Sequence, residues 1–341
     1  MSAEQLGPDF GTSPGWLPHA LDVPSDRVML VRRSESDYRT AGFLDDRSLK
    51  PDTPRAILRW DEMEAALSPG ARRDAQFIFH IGHVGSTLIA RLLGELADVL
   101  SLREPVLLRV FHQLLQPGSS WPQETARKRL STLVSLLSRT YAPEQRAIVK
   151  ATSFTSEIAD EMVPPGSRAL LLYVTPRSYI ENILAGDASR HELGILSSSR
   201  ADRLATRTGV QWKASGLGEQ AALAWACEIA SLAAAGEALG ADRAMWCDFD
   251  RFLAAPAETL VQITHFFGHA LAPARAMDLI RGPLMRRYSK DLDYEYTPEL
   301  RREVLAQSRA ENAADIAAAL RWLDRAAAAS PAIAECLKRT A

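Results

Sequence analysis

Five short apolar runs alternate with longer helical patterns through the middle of the chain. The runs are Gln76–Ile81, Val99–Glu104, Ala147–Lys150, Ala169–Val174 and Ala244–Phe249. Apolar runs of this length are typical of strands that are buried on both faces of a sheet. Strands that alternate with helices predict an α/β fold, in which helices flank both faces of a mostly parallel central sheet.

Helical periodicity fills the segments between the runs. Leu88, Leu92 and Leu96 recur at helical spacing directly after the first run. Residues 126–141 and 219–239 carry longer helical patterns, and the Ala-rich end of the chain from Pro298 onward favours helix as well. The first run and the helix that follows it therefore form the first half of a βαβ unit.

The first 73 residues follow a different pattern. Gly and Pro recur at 7–8, 14–15, 18, 24, 51 and 54, which excludes a long helix. The stretch 56–67 has apolar residues at helical spacing and predicts a helix. We interpret residues 1–73 as an N-terminal extension packed on a main domain of residues 74–341. A separate small domain is the alternative.

Composition narrows the class of protein. The 341 residues are 47% hydrophobic and 24% charged, which is typical of a globular protein, and the net charge of −2 argues against nucleic-acid binding through bulk charge. Three cysteines without a CxxC pair favour neither a disulfide framework nor a zinc site. No signal peptide or membrane-length apolar run is evident. We expect a soluble, cytoplasmic protein that requires no metal and binds neither membrane nor nucleic acid.

The loop after the first run carries the clearest chemical signal. Its residues are Gly82, His83, Val84, Gly85, Ser86 and Thr87. A glycine-bearing turn between a strand and a helix gathers backbone N–H groups at the positive end of the helix dipole, which favours an anion. A nucleotide P-loop has lysine directly after its second glycine, and this loop has serine there. The alternative is an ordinary βα turn with a hydroxyl cap.

These motifs resemble the sulfotransferase family, whose members have a three-layer, P-loop-NTPase-like fold and use 3′-phosphoadenosine-5′-phosphosulfate (PAPS) as donor. The loop 82–87 matches the family's glycine and its two hydroxyl residues, and the stretch 85–105 is similar to the tyrosylprotein and bacterial branches. Residues 249–268 are similar to a structural pattern near the C-terminus of the family. The resemblance covers about residues 76–268.

The resemblance implies roles for three residues in catalysis. Glu104 ends the second predicted strand, where those branches have their general base. Lys150 ends the third predicted strand, where the family has a lysine that faces the sulfate. His83 stands where the family usually has lysine or arginine, and it would bind the donor together with the rest of the loop. The alternative for Glu104 is a strand-end carboxylate paired with Arg103 or Arg109.

One family motif is not matched. The family binds the donor's 3′-phosphate through an arginine and, eight residues later, a serine, and this chain has Val174 and Asn182 at those positions. Besides Asn182, the candidates that could bind this phosphate are Arg177, Arg190 and the cluster from Arg286 through Tyr288 and Ser289 to Lys290. The donor assignment depends on one of these groups replacing the missing arginine.

The resemblance therefore predicts a sulfotransferase that moves a sulfuryl group from PAPS to a hydroxyl or amine of a small molecule or glycan. Two alternatives stay open: an ATP-using, kinase-like transferase on a related scaffold, and a non-catalytic nucleotide-binding protein. Residues 186–218 are rich in Ser, Arg and Gly, and we expect them to form a mobile specificity loop. A homodimer is possible through the Ala-rich helices.

Overall fold

The computed structural model describes residues 6–67, 70–288 and 293–340. Its N-terminal elements are β1 (Trp16–Asp22), β2 (Arg27–Arg32), α1 (Glu35–Thr40), β3 (Arg55–Arg59) and α2 (Trp60–Ala65). The three strands form an antiparallel sheet in the order β1-β2-β3. The helix predicted over 56–67 is wrong in its first turn, because alternate side chains of β3 are buried and exposed, and helix begins only at Trp60.

The central sheet has five parallel strands in the order β5-β6-β4-β7-β8. They are β4 (Gln76–His80), β5 (Val99–Arg103), β6 (Arg146–Lys150), β7 (Ala169–Tyr173) and β8 (Ala244–Asp248). Each of the five apolar runs forms one of them, which confirms the predicted α/β class. The chain continues from β4 to one side of the sheet and later crosses to the other, so β4 lies at the topological switch point, where α/β sheets bind ligands.

Helices account for most of the remaining chain. They are α3 (Ser86–Leu93), α4 (Leu107–Leu114), α5 (Gln123–Leu137), α6 (Ala159–Met162), α7 (Pro176–Leu184), α8 (Asp187–Thr208), α9 (Gly216–Leu239), α10 (Phe249–Ala254), α11 (Pro256–Phe266), α12 (Pro273–Arg281), α13 (Pro298–Glu311), α14 (Ala313–Ala329) and α15 (Pro331–Arg339). Short 3₁₀ helices span Asp46–Ser48, Ser153–Ile158 and Pro283–Arg286. The expectation of a mobile loop over 186–218 is wrong, because α8 occupies most of it.

Helix α9 is an exception to the expectation that no segment has membrane length. It is long and apolar enough to span a membrane by composition alone, but 78% of its most apolar window is buried within the protein. It packs against α8, α14 and α7. In this structure α9 is therefore a core helix, whose apolar surface is covered by other helices.

The N-terminal segment is anchored to the edge of the central sheet by Arg103. This side chain is 1% exposed, and it donates hydrogen bonds to the carbonyl oxygens of Tyr38, Arg39 and Ala41. The backbone N–H of Leu44 donates to the Arg103 carbonyl at 2.7 Å. These bonds fix the chain just before and after residue 43, and so hold it against the end of β5.

Candidate active site

A cavity of about 1140 Å³ opens at the carboxyl edge of the central sheet, where β4, β5 and β6 end. Of the residues predicted for the site, eleven line it: Gly82, His83, Val84, Gly85, Ser86, Thr87, Glu104, Lys150, Asn182, Arg287 and Tyr288. Arg177 does not. Ser289 and Lys290 lie outside the described residues. The structure thus brings the loop, the carboxylate and the lysine to one cavity.

The loop after β4 has an unusual backbone. Gly82, His83 and Gly85 have φ angles of 82°, 54° and 69°, and the value for His83 lies in the left-handed region that favours glycine. Asn182 donates from its amide to the His83 carbonyl at 2.9 Å. Such a conformation costs about 1–3 kcal/mol in a non-glycine residue, so the surrounding contacts must hold it.

His80 provides a second contact that holds the loop. Its Nδ1 accepts a hydrogen bond from the Gly82 N–H at 3.0 Å, and its Nε2 lies 2.9 Å from the Ala151 carbonyl oxygen. Because an N–H group can only donate, Nδ1 acts as the acceptor and Nε2 carries the proton. No sequence motif indicates a role for His80. Its position at the end of β4 makes it a positioning residue for the loop.

Gly85 is required by space as well as by conformation. A Cβ atom at this position would lie 2.0 Å from Cζ of Phe249, the first residue of α10. Ser86 and Thr87 follow at the N-terminus of α3 and are buried. The Phe249 ring therefore fills the space that a side chain at position 85 would need.

Glu104 and Lys150 form a buried ion pair at the ends of β5 and β6. The Lys150 ammonium contacts Glu104 Oε1, and the Arg109 guanidinium lies 3.0 Å from Glu104 Oε2. Thr152 Oγ1 donates to the same Oε2 at 3.4 Å. Glu104 thus does pair with Arg109, which was the alternative raised from the sequence, but it pairs with Lys150 too.

The charges around Glu104 determine its ionisation. Burial acts to raise the pKa of Glu104, but Lys150 and Arg109 oppose it and lower the pKa to about 2. Its φ angle of 51° is also left-handed, and its N–H donates to the Lys150 carbonyl at 2.7 Å. The carboxylate is therefore ionised at neutral pH and held by both backbone and side-chain contacts.

Two cavity-lining residues, Phe43 and Arg47, come from the N-terminal segment. They were not predicted from the sequence. The Phe43 ring lies 5.6 Å from the Lys150 ammonium, and the Arg47 guanidinium lies 3.8 Å from the centre of the same ring. Both distances permit cation–π contacts. No spacing signal could have identified these residues, because Phe43 lies more than 100 residues before Lys150.

A continuous chain of charged and titratable side chains crosses the wall formed by α8. We call it the ion chain, and its members in order are His83, Glu192, Arg200, Glu228, Arg203, Glu157 and His112. Neighbouring members are 2.7 to 3.7 Å apart. Carboxylates alternate with guanidinium or imidazole groups, so each buried carboxylate has partners on both sides.

The carboxylates of the ion chain have depressed pKa values. The contact with His83 and the nearby Arg200 lower the pKa of Glu192 to about 2, against the effect of burial. Burial acts to raise the pKa of Glu157, but His112 and Arg203 lower it to about 2. Both groups are therefore carboxylates at neutral pH, and they give the wall of the cavity fixed charges.

The C-terminal part of the chain closes the cavity from the other side. Arg287, Tyr288, Tyr296 and Arg301 line it. The two tyrosine rings meet edge to face with centroids 5.7 Å apart. The Arg301 guanidinium lies 2.8 Å from Asp250 and 5.5 Å from the centre of the Phe249 ring. This wall combines two aromatic rings with two guanidinium groups.

The position where the family has its phosphate-binding arginine offers no cation. Val174 is 1% exposed, and its carbonyl oxygen accepts from the Trp225 indole. Arg177 lies 3.8 Å from Glu181, away from the cavity, and Arg190 donates to the Leu184 carbonyl and to Asn312. Of the sequence candidates for this role that the structure describes, Asn182, Arg287 and Tyr288 line the cavity.

The described residues contain no group of three or more His, Cys, Asp or Glu side chains arranged to hold a metal ion. His269 contacts Asp98 at 2.6 Å, remote from the cavity lining. Some charged groups of the cavity are paired with one another, as Lys150 is with Glu104 and His83 with Glu192.

No protein-family model and no curated protein sequence matches the chain. Among solved structures, it is similar to the sulfotransferase domain from the curacin biosynthetic pathway, with 15% identity over 65% of this chain and 83% of that one and a TM-score of 0.43. The sulfotransferase domain of a Synechococcus olefin synthase has 16% identity over 69% and 86%, with a TM-score of 0.40.

A sulfotransferase from Mycobacterium avium has 13% identity over 74% of this chain and 79% of that one, with a TM-score of 0.41.

We expect Gly85→Ala to destabilise the protein more than Gly209→Ala. Both glycines have φ near 70°, but the added methyl would meet Phe249 at position 85 and nothing within 4 Å at position 209. Both variants carry backbone strain of about 1–2 kcal/mol, and the clash should add about 2 kcal/mol at position 85. Urea unfolding measures the difference, and equal losses would contradict the contact with Phe249.

We expect the stability lost in Glu104→Gln to depend on pH. The pKa of Glu104 is about 2 in the folded protein and 4.5 ordinarily. A carboxyl with a depressed pKa stabilises the fold above its ordinary pKa and loses that contribution as the pH falls through the folded value. The variant should be less stable than the wild type by about 3 kcal/mol at pH 6.

The same difference should shrink steadily between pH 4.5 and pH 2 as wild-type Glu104 takes up its proton. Denaturant unfolding at pH 6, 4 and 3 measures it. Glu303→Gln, at an exposed position of α13, provides the control and should match the wild type throughout. A deficit in Glu104→Gln that stays constant with pH would show that the ion pair is not its source.

Proposed function

We propose that the protein is a sulfotransferase that moves a sulfuryl group from PAPS to a hydroxyl or amine of a small molecule or glycan. One observation carries the proposal: a lysine-free anion loop and the Glu104–Lys150 pair face the same cavity. The loop offers backbone N–H groups and hydroxyls to an anion, and the pair offers a proton acceptor and a movable cation. The sequence motifs that resemble the sulfotransferase family are those same residues.

The donor would lie with its 5′-phosphosulfate on the loop 82–87 and its adenosine toward the C-terminal wall. The N–H groups at the start of α3, together with the Ser86 and Thr87 hydroxyls, would bind the phosphate. Tyr288 and Tyr296 provide rings for the adenine. Arg287 and Arg301 provide the cations for the 3′-phosphate in place of the missing arginine at position 174.

The acceptor would enter the cavity beside Phe43. The Glu104 carboxylate lines the same cavity. The acceptor oxygen or nitrogen attacks the sulfur while Glu104 takes the proton that it gives up. The bond between sulfur and the bridging phosphate oxygen breaks, and its electron pair stays on that oxygen. Lys150 and His83 neutralise the charge that develops there, as cations do in phosphoryl transfer.

In this scheme Lys150 interacts with two groups in turn, the Glu104 carboxylate and the donor phosphosulfate. Without donor it contacts Glu104, and this contact helps to hold the Glu104 pKa near 2, where the carboxylate is a weak base. A donor phosphosulfate attracts the ammonium, and each step of Lys150 away from Glu104 raises the pKa of that carboxyl. Donor binding would therefore prepare the base for the acceptor proton.

We expect calorimetry to show metal-independent binding of adenosine 3′,5′-bisphosphate, at least ~10-fold tighter than binding of AMP because of the charged 3′-phosphate contacts. Arg301→Gln should lower that ratio about tenfold. Arg309→Gln provides a matched control on the same helix, because it removes a guanidinium paired with Glu181 outside the cavity.

Several outcomes would contradict this donor assignment. Equal losses for both nucleotides in Arg301→Gln would remove Arg301 from recognition of the 3′-phosphate. A preference for Mg-ATP that EDTA abolishes would favour the kinase-like transferase. Binding of the bisphosphate without sulfuryl transfer to any phenol, alcohol, amine or sugar in a PAPS screen would favour the non-catalytic protein.

We expect Glu104→Gln to reduce turnover by about 10²–10⁴-fold with any acceptor found in that screen, because the amide cannot take the acceptor proton. Affinity for adenosine 3′,5′-bisphosphate should stay within about threefold of the wild type, since Glu104 does not belong to the donor loop. Steady-state kinetics and calorimetry provide the two readouts. Turnover within a few-fold of the wild type would exclude Glu104 as the base.

A further inference from the structure

His83 is held in the loop by its backbone, but its ring has a separate contact. The Asn182 amide fixes the His83 carbonyl, whereas His83 Nε2 lies 3.6 Å from Oε2 of Glu192 on α8. The His83 side chain is 22% exposed and lines the cavity. The direction of the imidazole is therefore set by a carboxylate more than 100 residues away.

Glu192 is itself well held. Its other oxygen, Oε1, lies 2.9 Å from the Arg200 guanidinium two turns further along α8. Arg200 in turn contacts Glu228 on α9 at 3.7 Å, and Glu228 contacts Arg203 at 2.9 Å. The ion chain thus anchors Glu192 to two packed helices, and the carboxylate keeps a cationic partner if His83 moves away from it.

We propose that Glu192 is a positioning residue that holds the His83 imidazole ready for the anionic donor. This inference rests on the proposed function. The carboxylate fixes the direction of the imidazole, so the ring lies in the cavity wall at the position where the family has lysine or arginine. When donor binds, His83 turns to the anion, and Arg200 continues to neutralise Glu192.

The alternative role for Glu192 is purely structural, as one link between α8 and α9. The two roles differ in one respect. If the role is structural, loss of Glu192 destabilises the protein whether or not His83 is present. If Glu192 positions His83, its loss changes the affinity for the donor only when His83 is present. A double-mutant cycle between the two residues separates these cases.

The test measures calorimetric binding of adenosine 3′,5′-bisphosphate to the wild type, Glu192→Gln, His83→Ala and the double variant. Glu192→Gln should weaken binding about tenfold. In the His83→Ala background the same change should alter binding by less than about twofold. Equal effects in both backgrounds, or tighter binding in Glu192→Gln, would overturn the proposal.

Glu219→Gln provides the matched control. Glu219 forms the same kind of pair with an arginine, Arg325 at 2.8 Å, but it does not line the cavity. This variant should leave nucleotide binding unchanged in both backgrounds. A tenfold loss in the control would mean that any broken Glu–Arg pair impairs the donor site, which would also overturn the proposal.

A second readout does not depend on the donor. Long-range ¹H–¹⁵N NMR spectra resolve the imidazole nitrogens of the seven histidines, and His83→Ala identifies the signals of His83. These signals should move in Glu192→Gln and stay in place in Glu219→Gln. Unchanged signals in Glu192→Gln overturn the positioning role, whereas failure of the wild type to bind any adenosine nucleotide counts against the proposed function alone.

Discussion

The cavity depends on one electrostatic requirement: the buried cationic and anionic groups at the carboxyl edge of the sheet must neutralise one another. Lys150 is 1% exposed at the end of β6, so its ammonium has little contact with bulk solvent. Glu104, on the neighbouring strand, supplies the opposite charge. Removing one partner leaves the other buried and unpaired, which typically costs about 3–5 kcal/mol.

The ion chain meets the same requirement across α8. Arg200 and Arg203 are both buried or nearly so, and each has carboxylates on two sides. This arrangement explains why a segment rich in Ser, Arg and Gly forms a 22-residue helix. Its helical conformation is stabilised by charged contacts with α9 and with the 3₁₀ helix 153–158, in addition to the few apolar residues that it buries.

The sequence predicts the sheet well because strands buried on both faces must be continuously apolar, and the five runs are. The loop 82–87 is predicted equally well, because its glycine and hydroxyl residues lie close together in the sequence. Helix α8 was missed because its stabilising partners, such as Glu157 and Glu228, are distant in sequence. Phe43 and Arg47 were missed for the same reason, since only the anchoring by Arg103 brings them to the cavity.

The Arg103 anchor has a consequence for how such proteins diverge. The Arg103 guanidinium donates hydrogen bonds to backbone carbonyl oxygens of the N-terminal segment. The side chains of that segment can therefore vary without loss of these bonds. Phe43 and Arg47 can therefore be exchanged without breaking the hydrogen bonds that hold the segment to the end of β5. Evolution, or a designer, can thus reshape one wall of the cavity while the backbone of that wall stays anchored to the sheet.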